Sequence, residues 1–309
     1  MLKYTKWKHG VNFNENRNGV ISVGFNSIVC VKQVPDTANV TSDAMTPEGT
    51  VNRAALPTIF NPEDLHALET ALEIRDRFGG TVTVVTMGPP KAADVLRACL
   101  YRGADRAILL TDRRAAASDT LATSYILSQA VRTIGNYDFV LCGRQAIDGD
   151  TAQTGPQIAE KLEIPQVTYL EEVVDVKDSE TKTARIRRNI GNGFEIVDVQ
   201  LPALVTVIET ANEPRPFAAK KVMRNKHAAV PAEVTPEKAE ELKEKGLLLE
   251  QWTLDDINAD LNRCGLAGSP TKVFRVESIV LTKEGFTAVE PTEEGITGLI
   301  QELISERTL

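Results

Sequence analysis

The sequence predicts an α/β fold that combines a mostly parallel sheet with an antiparallel extension and a C-terminal helical arm. Apolar, β-branched runs alternate with amphipathic segments from residue 27 to residue 162, which is typical of a parallel sheet covered by helices. From residue 167 short strand-like runs follow one another with only turn signals between them, which indicates antiparallel strands. Beyond Pro231 the chain is rich in Glu and Lys and is broken by prolines, which favours an arm over a second core.

The first strand and helix are the clearest elements. SIVCVKQV, residues 27–34, is a nearly continuous apolar run, as expected for a strand that is buried on both faces. In the following PEDLHALETALEIRDRFGG, Leu65, Leu68 and Leu72 recur at helical spacing and Pro62 suits the first turn. The glycine pair that follows predicts the end of this helix.

The same alternation continues through three more strands and helices. Strands are predicted at 81–87, 106–110 and 138–142, and helices up to Arg102, from Ser118–Asp119 onward, and from about Thr154 onward. Right-handed crossovers would make this a Rossmann-like, nucleotide-binding sheet, in which ligands bind at the carboxyl ends of the strands. We therefore expect the loops after Val34, Met87 and Cys142 to gather at one edge.

The second half of the chain is predicted to extend this sheet and then leave it. The runs 167–176, 183–188, 194–199 and 203–208 are expected to be antiparallel strands, with a hairpin turn at Gly191-Asn192-Gly193. Helices are predicted near 236–245, 254–263 and 292–306. The resulting organisation is a disordered extension at 1–26, a nucleotide- or flavin-binding domain at 27–230, and a partner-packing arm at 231–309.

The composition excludes several classes of function. The 309 residues are 42% hydrophobic and carry a net charge of -8, which argues against a general nucleic-acid binder. No apolar run has the length of a membrane span, and no secretory signal is present, so we expect a cytoplasmic protein. The four cysteines form no CxxC pair, so no metal site is expected; Cys30, Cys99 and Cys142 are predicted to be buried thiols.

The stretch LCGRQAIDGDTAQTGPQIAEKL, residues 141–162, combines a strand end, a polar loop and a helix start. A helix N-terminus offers unpaired backbone N–H groups and the positive end of a dipole, so it can bind phosphate without a lysine. Gln153 and Thr154 add donors beside that start. We therefore interpret this loop as a candidate nucleotide site.

The loop also carries two acids, Asp148 and Asp150. They can accept hydrogen bonds from ribose hydroxyls, from N–H groups of the loop, or from Arg144. The alternative is that Asp150 or Thr151 only caps the following helix.

Two further loops are candidates for the same pocket. Gly88 in TMGPP permits close approach of a ligand to the backbone, and Asn61-Pro62 either meets an adenine or ribose or caps the first helix. Three such loops at one sheet edge predict a nucleotide pocket. Since the sequence has no GxSxG, no Walker lysine motif and no histidine in a suitable loop, no catalytic residue is predicted, and the bound molecule is expected to supply the chemistry.

A basic stretch, NEPRPFAAKKVMRNKH at 212–227, contrasts with the acidic chain. It is either a solvated basic loop or a docking surface for an acidic partner.

Several of these motifs resemble the β subunit of electron transfer flavoprotein. They are VCVKQVPDT, NPEDLHALETAL, VVTMGPP, SDTLATS and above all LCGRQAIDGDTAQTGPQIAE, and the resemblance runs from Ser27 to Met223. It implies a heterodimer with an α subunit, in which the C-terminal arm of the β subunit wraps the partner. The β subunit holds AMP in simple electron carriers, whereas in the electron-bifurcating branch it holds FAD, which takes a hydride from NADH.

VKQVPDT and TMGPP are similar to the bifurcating branch, so the resemblance favours FAD over AMP. Electrons would then pass to the α-subunit flavin and a dehydrogenase, and to ferredoxin or flavodoxin. One alternative is a simple carrier with AMP as a structural element. Another is an ATP-using enzyme of the same α/β class, against which the absence of a lysine-bearing phosphate motif counts.

The resemblance also assigns site residues. In this sequence the cofactor-binding positions are Cys30, Asn61, Pro62, Glu63, Asp64, Met87, Gly88, Asp119, Thr120, Gly143, Arg144, Gln145, Ala146, Ile147, Asp148, Gly149, Asp150, Thr151, Ala152, Gln153 and Thr154. The partner-docking positions are Arg215, Ala219, Lys220, Lys221, Arg224 and Lys226, where Ala219 replaces a leucine anchor of the family. Gly149 and Ala152 stand where simple carriers often have Asp and Asn, which makes room near the phosphates.

Overall fold

The computed structural model describes residues 13–15, 21–36, 57–271 and 288–305. Its strands are β1 (Phe13–Glu15), β2 (Ile21–Val23), β3 (Ser27–Cys30), β4 (Gln33–Pro35), β5 (Thr58–Phe60), β6 (Val82–Met87), β7 (Arg106–Leu110), β8 (Phe139–Gly143), β9 (Gln166–Lys177), β10 (Thr183–Asn189), β11 (Phe194–Gln200), β12 (Ala203–Val207) and β13 (Glu250–Trp252). Its α-helices are α1 (Pro62–Phe78), α2 (Ala93–Arg102), α3 (Thr120–Ile134), α4 (Thr154–Leu162), α5 (Ala219–Asn225), α6 (Pro236–Glu244) and α7 (Glu293–Ser305).

Nine strands form one sheet in the order β11-β10-β9-β12-β8-β3-β6-β7-β13. The seven strands from β9 to β13 in this order are parallel to one another. β10 is antiparallel to both β9 and β11. The predicted fold class, a mostly parallel sheet with an antiparallel extension, is confirmed.

The extension is narrower than the sequence predicts. β12 inserts between β8 and β9 and is parallel to both, so 167–176 and 203–208 belong to the parallel sheet. Every residue of β12 is buried, the pattern of a strand covered on both faces. The antiparallel part is the β10–β11 hairpin, whose predicted turn is confirmed by the bond from the Ile190 N–H to the Gly193 carbonyl.

Helices cover both faces of the sheet, as the alternation predicts. Val29, Val84 and Leu109 point toward a core shared with α1 and α2. Neighbouring residues of the same strands, such as Ile28 and Ile108, point toward a second core shared with α3 and α4. This alternation follows from the two-residue period of a strand.

The predicted strand 27–34 is divided in two. β3 ends at Cys30, and β4 leaves the main sheet to pair with β5 in a separate antiparallel ladder. At the bend, the Lys32 N–H donates to the Asp64 carboxylate at 2.9 Å. An apolar run in the sequence does not show that a side-chain carboxylate, and not a carbonyl of a neighbouring strand, accepts this N–H.

Residues 231–271 pack on this chain. β13 lies beside β7 at the sheet edge, and Leu254, Ile257 and Cys264 are buried in the α3/α4 core. The helix predicted at 254–263 is wrong: the segment contains turns and one 3₁₀ turn, Leu261–Arg263, with Asn258 at a left-handed φ of 50°. α6 and α7 confirm the other two predicted helices, and the domain boundary at 230 stays a prediction.

The predicted extension at 1–26 lies mostly outside the described residues. β1 and β2 pair antiparallel, and Phe25 is buried in the α1/α2 core. The Asn26 N–H donates to Asp138 at 2.8 Å, so residues 24–26 already belong to the fold. None of the helices in the described ranges has the length and hydropathy to span a membrane.

Candidate functional site

A cavity of about 430 Å³ opens at the carboxyl ends of the central strands. β3 lies between β8 and β6 in the sheet, although the chain reaches β6 and β7 before β8, so the strand order reverses between β3 and β8. Ligands of open α/β sheets bind at such a reversal. The walls come from the ends of β3, β6 and β8, the start of α3, and residues 143–154, which we call the signature loop.

Asp64 connects the two sides of this reversal. Its carboxylate accepts a hydrogen bond from the Lys32 N–H after β3 and another from the Gly143 N–H at the end of β8, both at 2.9 Å. The side chain is buried and lines the cavity. Burial raises the pKa of Asp64 to about 7, although the N–H donors of Gly143 and Lys32 oppose this shift.

Two neighbours of Asp64 hold the signature loop from behind. The Asn61 side chain donates to the Gln145 carbonyl at 2.9 Å and accepts from the Ile147 N–H at 3.1 Å. Glu63 accepts from Arg144 at 2.6 Å and from the Gln145 N–H at 2.9 Å. Asn61 is therefore not a side-chain cap of α1; its amide is used to fix the loop.

The two acids of the signature loop have different partners. Asp148 forms an ion pair with Lys32 at 2.7 Å, and Asp150 accepts from the Gln145 side chain at 2.9 Å. Arg144 pairs with Glu63 and not with either acid. The helix cap at Asp150 or Thr151 is also wrong, because α4 starts at Thr154 with Gln153 as the preceding residue.

The start of α4 is open toward the cavity. Among the described residues, no side-chain hydrogen bond caps this helix, and Gln153, Thr154 and Gly155 all line the cavity. The loop before it holds two non-glycine residues in the left-handed region, Asp150 at φ 47° and Ala152 at φ 52°. Such conformations persist only where the surroundings impose them, and they concentrate at ligand sites.

Glycines set how closely the walls approach. A Cβ at Gly143 would lie 2.7 Å from the Asp64 nitrogen and from the Glu63 Cβ, and one at Gly155 would lie 2.8 Å from the Cys142 Sγ. Both positions therefore require glycine. A Cβ at Gly149, in contrast, would meet nothing within 4 Å, so the loop leaves free space at this point.

The remaining walls are apolar and hydroxyl-rich. Asp119 caps α3 by accepting from the Ala122 N–H at 3.0 Å, and Thr120 donates to Gln153 at 2.9 Å. The thiols of Cys30 and Cys142 are buried at the floor. Burial, followed by the charge of Asp64, raises the pKa of Cys30 to about 12, and burial also raises the pKa of Cys142, so both stay protonated.

Known proteins are similar in sequence to this chain over most of its length. The electron transfer flavoprotein domain matches residues 48–239. The electron transfer flavoprotein subunit beta of Clostridium acetobutylicum is 42% identical over 91% of this chain and 98% of its own length. The chain belongs to the electron transfer flavoprotein family. The FixA protein of Bradyrhizobium diazoefficiens is 42% identical over 89% of each chain.

A third relative carries a longer description. The caffeyl-CoA reductase-Etf complex subunit CarD of Acetobacterium woodii is 44% identical over 80% of this chain and 86% of its own length. The resemblance that the sequence motifs indicate is thereby shown at the level of the β subunits and FixA proteins of the family.

The structure brings most of the predicted electron transfer flavoprotein cofactor positions to one cavity. Those that line it are Cys30, Asp64, Met87, Asp119, Thr120, Gly143, Arg144, Gln145, Ala146, Asp148, Gly149, Thr151, Ala152, Gln153 and Thr154. Among the described residues, those outside the lining are Asn61, Pro62, Glu63, Gly88, Ile147 and Asp150. Asn61 and Glu63 act through the loop that they hold, and the cofactor-binding role of the whole set stays a prediction.

Sequence reasoning missed several wall residues, of which Lys32 is the most consequential. The signature loop has no lysine, but Lys32 lies two residues after β3 and its ammonium reaches Asp148. The available signal in the sequence was the position of Lys32, just after a buried strand that ends at the site. Gly155 and Cys142 were also missed as lining residues.

The predicted docking stretch divides into a structural and an exposed part. Arg215 pairs with Glu69 at 2.9 Å and with Asp76 at 2.8 Å. Ala219–Asn225 forms the short helix α5, which neither interpretation of the stretch included. Within the described ranges, no ion pair involves Lys220, Lys221, Arg224 or Lys226, so these four remain candidates for docking.

Proposed function

We propose that this chain is the FAD-binding β subunit of a cytoplasmic, heterodimeric electron transfer flavoprotein that accepts electrons from NADH. One electron passes to the α-subunit flavin and a dehydrogenase, and the other to ferredoxin or flavodoxin. The observation that carries the proposal is the cavity at the strand reversal, whose wall includes the signature loop, a segment within the residues that match the family.

The chemistry of the walls fits the adenine nucleotide half of FAD. The uncapped start of α4 presents backbone N–H groups to an anion. Arg144 lines the same space, and its Nε is buried without a hydrogen-bond partner in the described part of the chain. A volume of about 430 Å³ lies in the range of small-ligand sites, and the open space beside Gly149 leaves room for the longer diphosphate.

When bound, FAD supplies the hydride and single-electron chemistry. The residues of this chain bind and position it. Asp64, Asn61 and Glu63 hold the signature loop against the strand ends through the hydrogen bonds described above. The protonated thiols of Cys30 and Cys142 form part of the cavity floor. They therefore offer the ligand apolar contact and no negative charge that would repel its phosphates.

Partner binding is the second part of the proposal. α7 carries four exposed apolar side chains, Ile296, Leu299, Ile300 and Ile304, at the spacing of one helix face. We assign this face to the α subunit, because a contiguous apolar face exposed on a helix indicates a protein interface. The cations of α5 are assigned to the dehydrogenase.

The first experiment is a nucleotide count. The chain is purified with its α subunit, the complex is denatured, and released FAD and AMP are quantified by chromatography. Two FAD and no AMP per heterodimer are expected. One FAD with one AMP would instead make this subunit the structural AMP holder of a simple carrier, and no nucleotide at this chain would overturn both assignments.

A matched pair of variants connects the count to the cavity. Gly149→Asp introduces a side chain and a negative charge into the open space of the signature loop and is expected to reduce the FAD count. Gly193→Asp is the control, since a Cβ there also meets nothing within 4 Å but lies in the β10–β11 turn. Equal FAD content in both variants would contradict the placement of FAD in this cavity.

A further inference from the structure

Two cations line the cavity, and they differ in how firmly they are held. Arg144 pairs at 2.6 Å with Glu63, whose side chain is only 7% exposed. Releasing Arg144 would leave this buried carboxylate without its cation, bonded only to the Gln145 N–H, which is unfavourable. Arg144 is therefore held in the wall by Glu63 and does not readily exchange this partner for a ligand.

Lys32 is held much more loosely. Its ammonium pairs with Asp148 at 2.7 Å, but the side chains of Lys32 and Asp148 are 47% and 25% exposed. An exposed pair of this kind contributes little to stability and is readily given up. The Lys32 backbone, in contrast, is anchored by its N–H bond to Asp64, so the flexible side chain extends from a fixed point on the wall.

The charges that line the cavity favour such a cation when an anion binds. Three carboxylates line the walls, Asp64, Asp119 and Asp148, against the two cations Lys32 and Arg144. Asp64 and Asp119 are satisfied by backbone N–H donors, so Asp148 is the acid whose only bonded partner among the described residues is Lys32. The negative charge of Asp148 would repel a phosphate beside the signature loop unless the positive charge of Lys32 offset this repulsion.

We propose that Lys32 is the phosphate-binding cation of this cavity and that Asp148 holds its ammonium until the ligand arrives. On binding, the ammonium exchanges Asp148 for a phosphate oxygen, while Asp148 turns toward solvent. This inference rests on the proposed adenine nucleotide site and adds to it a residue from outside the signature loop. It supplies a cation for phosphate to a loop that has no lysine of its own.

The two members of the ion pair give opposite predictions. The heterodimer is stripped of nucleotide and titrated calorimetrically with AMP and with adenosine. Lys32→Met is expected to weaken AMP binding about tenfold to a hundredfold, the range for a hydrogen bond to a charged group, and to leave adenosine binding unchanged. Asp148→Asn is expected to bind AMP at least as tightly as the wild type, because it frees Lys32 and removes a repulsive charge.

A structural role for the pair would produce a different result. If Lys32 and Asp148 only fasten the loop, both variants would weaken AMP and adenosine binding alike, and that outcome overturns the inference. Lys243→Met, on the exposed face of α6, is the control for the loss of one positive charge. The salt dependence of AMP affinity is a second measurement: it should be shallower in Lys32→Met than in the wild type.

Failure of the underlying nucleotide site is distinguishable from failure of the inference. A wild-type heterodimer that binds neither AMP nor adenosine would contradict the proposed function itself. A wild type that binds both, with Lys32→Met unchanged toward AMP, would contradict only the role of Lys32.

Discussion

The carboxylate of Asp64 accepts a hydrogen bond of 2.9 Å from the backbone N–H of Gly143. This bond joins the first turn of α1 to the end of β8, and its companion from Lys32 adds the end of β3. One buried side chain thus holds together the three elements that meet at the strand reversal.

The first prediction concerns pH. The pKa of Asp64 is raised from 3.8 to about 7 by burial, so between these values the folded protein keeps a proton that the unfolded chain releases. The free energy of unfolding should therefore fall as the pH rises from about 4 to about 7 and change little above that. At 1.36 kcal/mol per pKa unit the total decrease is up to about 4 kcal/mol, measurable by urea unfolding across this range.

Asp64→Asn is the control for this pH dependence. The amide can accept only through its oxygen, so one of the two N–H donors loses its partner, at a cost of about 1–3 kcal/mol. The variant has no carboxyl to titrate and should lack the decrease that is due to Asp64. Parallel pH profiles of the variant and the wild type would contradict the prediction.

The second prediction compares two glycines of the signature loop. Gly143→Ala would place a Cβ 2.7 Å from the Asp64 nitrogen and the Glu63 Cβ, which forces α1 away from β8. We expect a loss of about 1–3 kcal/mol in stability, measured by thermal or urea unfolding. Gly149→Ala meets nothing within 4 Å and should change stability by less than about 0.5 kcal/mol. Equal losses would show that the approach of α1 to β8 is not limited by Gly143.

The third prediction separates a structural from a ligand-binding role at Asp119. This side chain accepts from the Ala122 N–H and from the Thr271 N–H, both at 3.0 Å, so it caps α3 and attaches the C-terminal segment. Asp119→Ala should reduce stability by about 1–2 kcal/mol, whereas Asp119→Asn retains the cap acceptor and should lose less. If Asp119 only contacts a ligand, neither variant would change the unfolding midpoint of the nucleotide-free protein.

The fourth prediction divides the basic stretch. Arg215 is the cation paired with Glu69, whose side chain is 6% exposed, so Arg215→Ala leaves a buried carboxylate with only the backbone N–H of residue 215 as its partner and should cost about 2 kcal/mol. Lys220→Ala removes an exposed charge and should change stability by less than about 0.5 kcal/mol. The expected effect on docking is the opposite of the effect on stability. Lys220→Ala should slow electron transfer to the dehydrogenase more than Arg215→Ala does, as measured by steady-state kinetics. A stable Arg215→Ala variant would refute the assignment of Arg215 to the fold.

Local sequence patterns were sufficient for most of the fold and for part of the site. The alternation of apolar runs and helical periods determined a parallel sheet with two covered faces, because strand and helix periods are local properties. The helix start at Thr154, with Pro156 in its first turn, likewise depends on neighbouring residues. The signature loop was recognisable because its motif lies within twelve consecutive residues, 143–154.

Other features were decided only by contacts between distant parts of the chain. β12 inserts between β8 and β9 and is parallel to both. A strand-like run in the sequence does not show which strands will lie beside it. The segment 254–263 has apolar residues at helical spacing, but it forms turns, with Asn258 at a left-handed φ and with Leu254 and Ile257 buried. Its many Asp and Asn residues favour turns over a helix interior, so apolar spacing alone was misleading here.

The sequence by itself determined that the chain forms a parallel sheet with polar loops at one edge, and it predicted a nucleotide site there, since strand periodicity, helix starts and a contiguous motif are local properties of the sequence. Only the tertiary structure decided which charges meet there. Lys32 reaches Asp148 across 116 positions of sequence, and Asp64 reaches Gly143 across 79. Ion pairs and buried hydrogen bonds depend on distance in space, so their partners, and with them the electrostatics of the site, follow from the packing of the sheet and its helices.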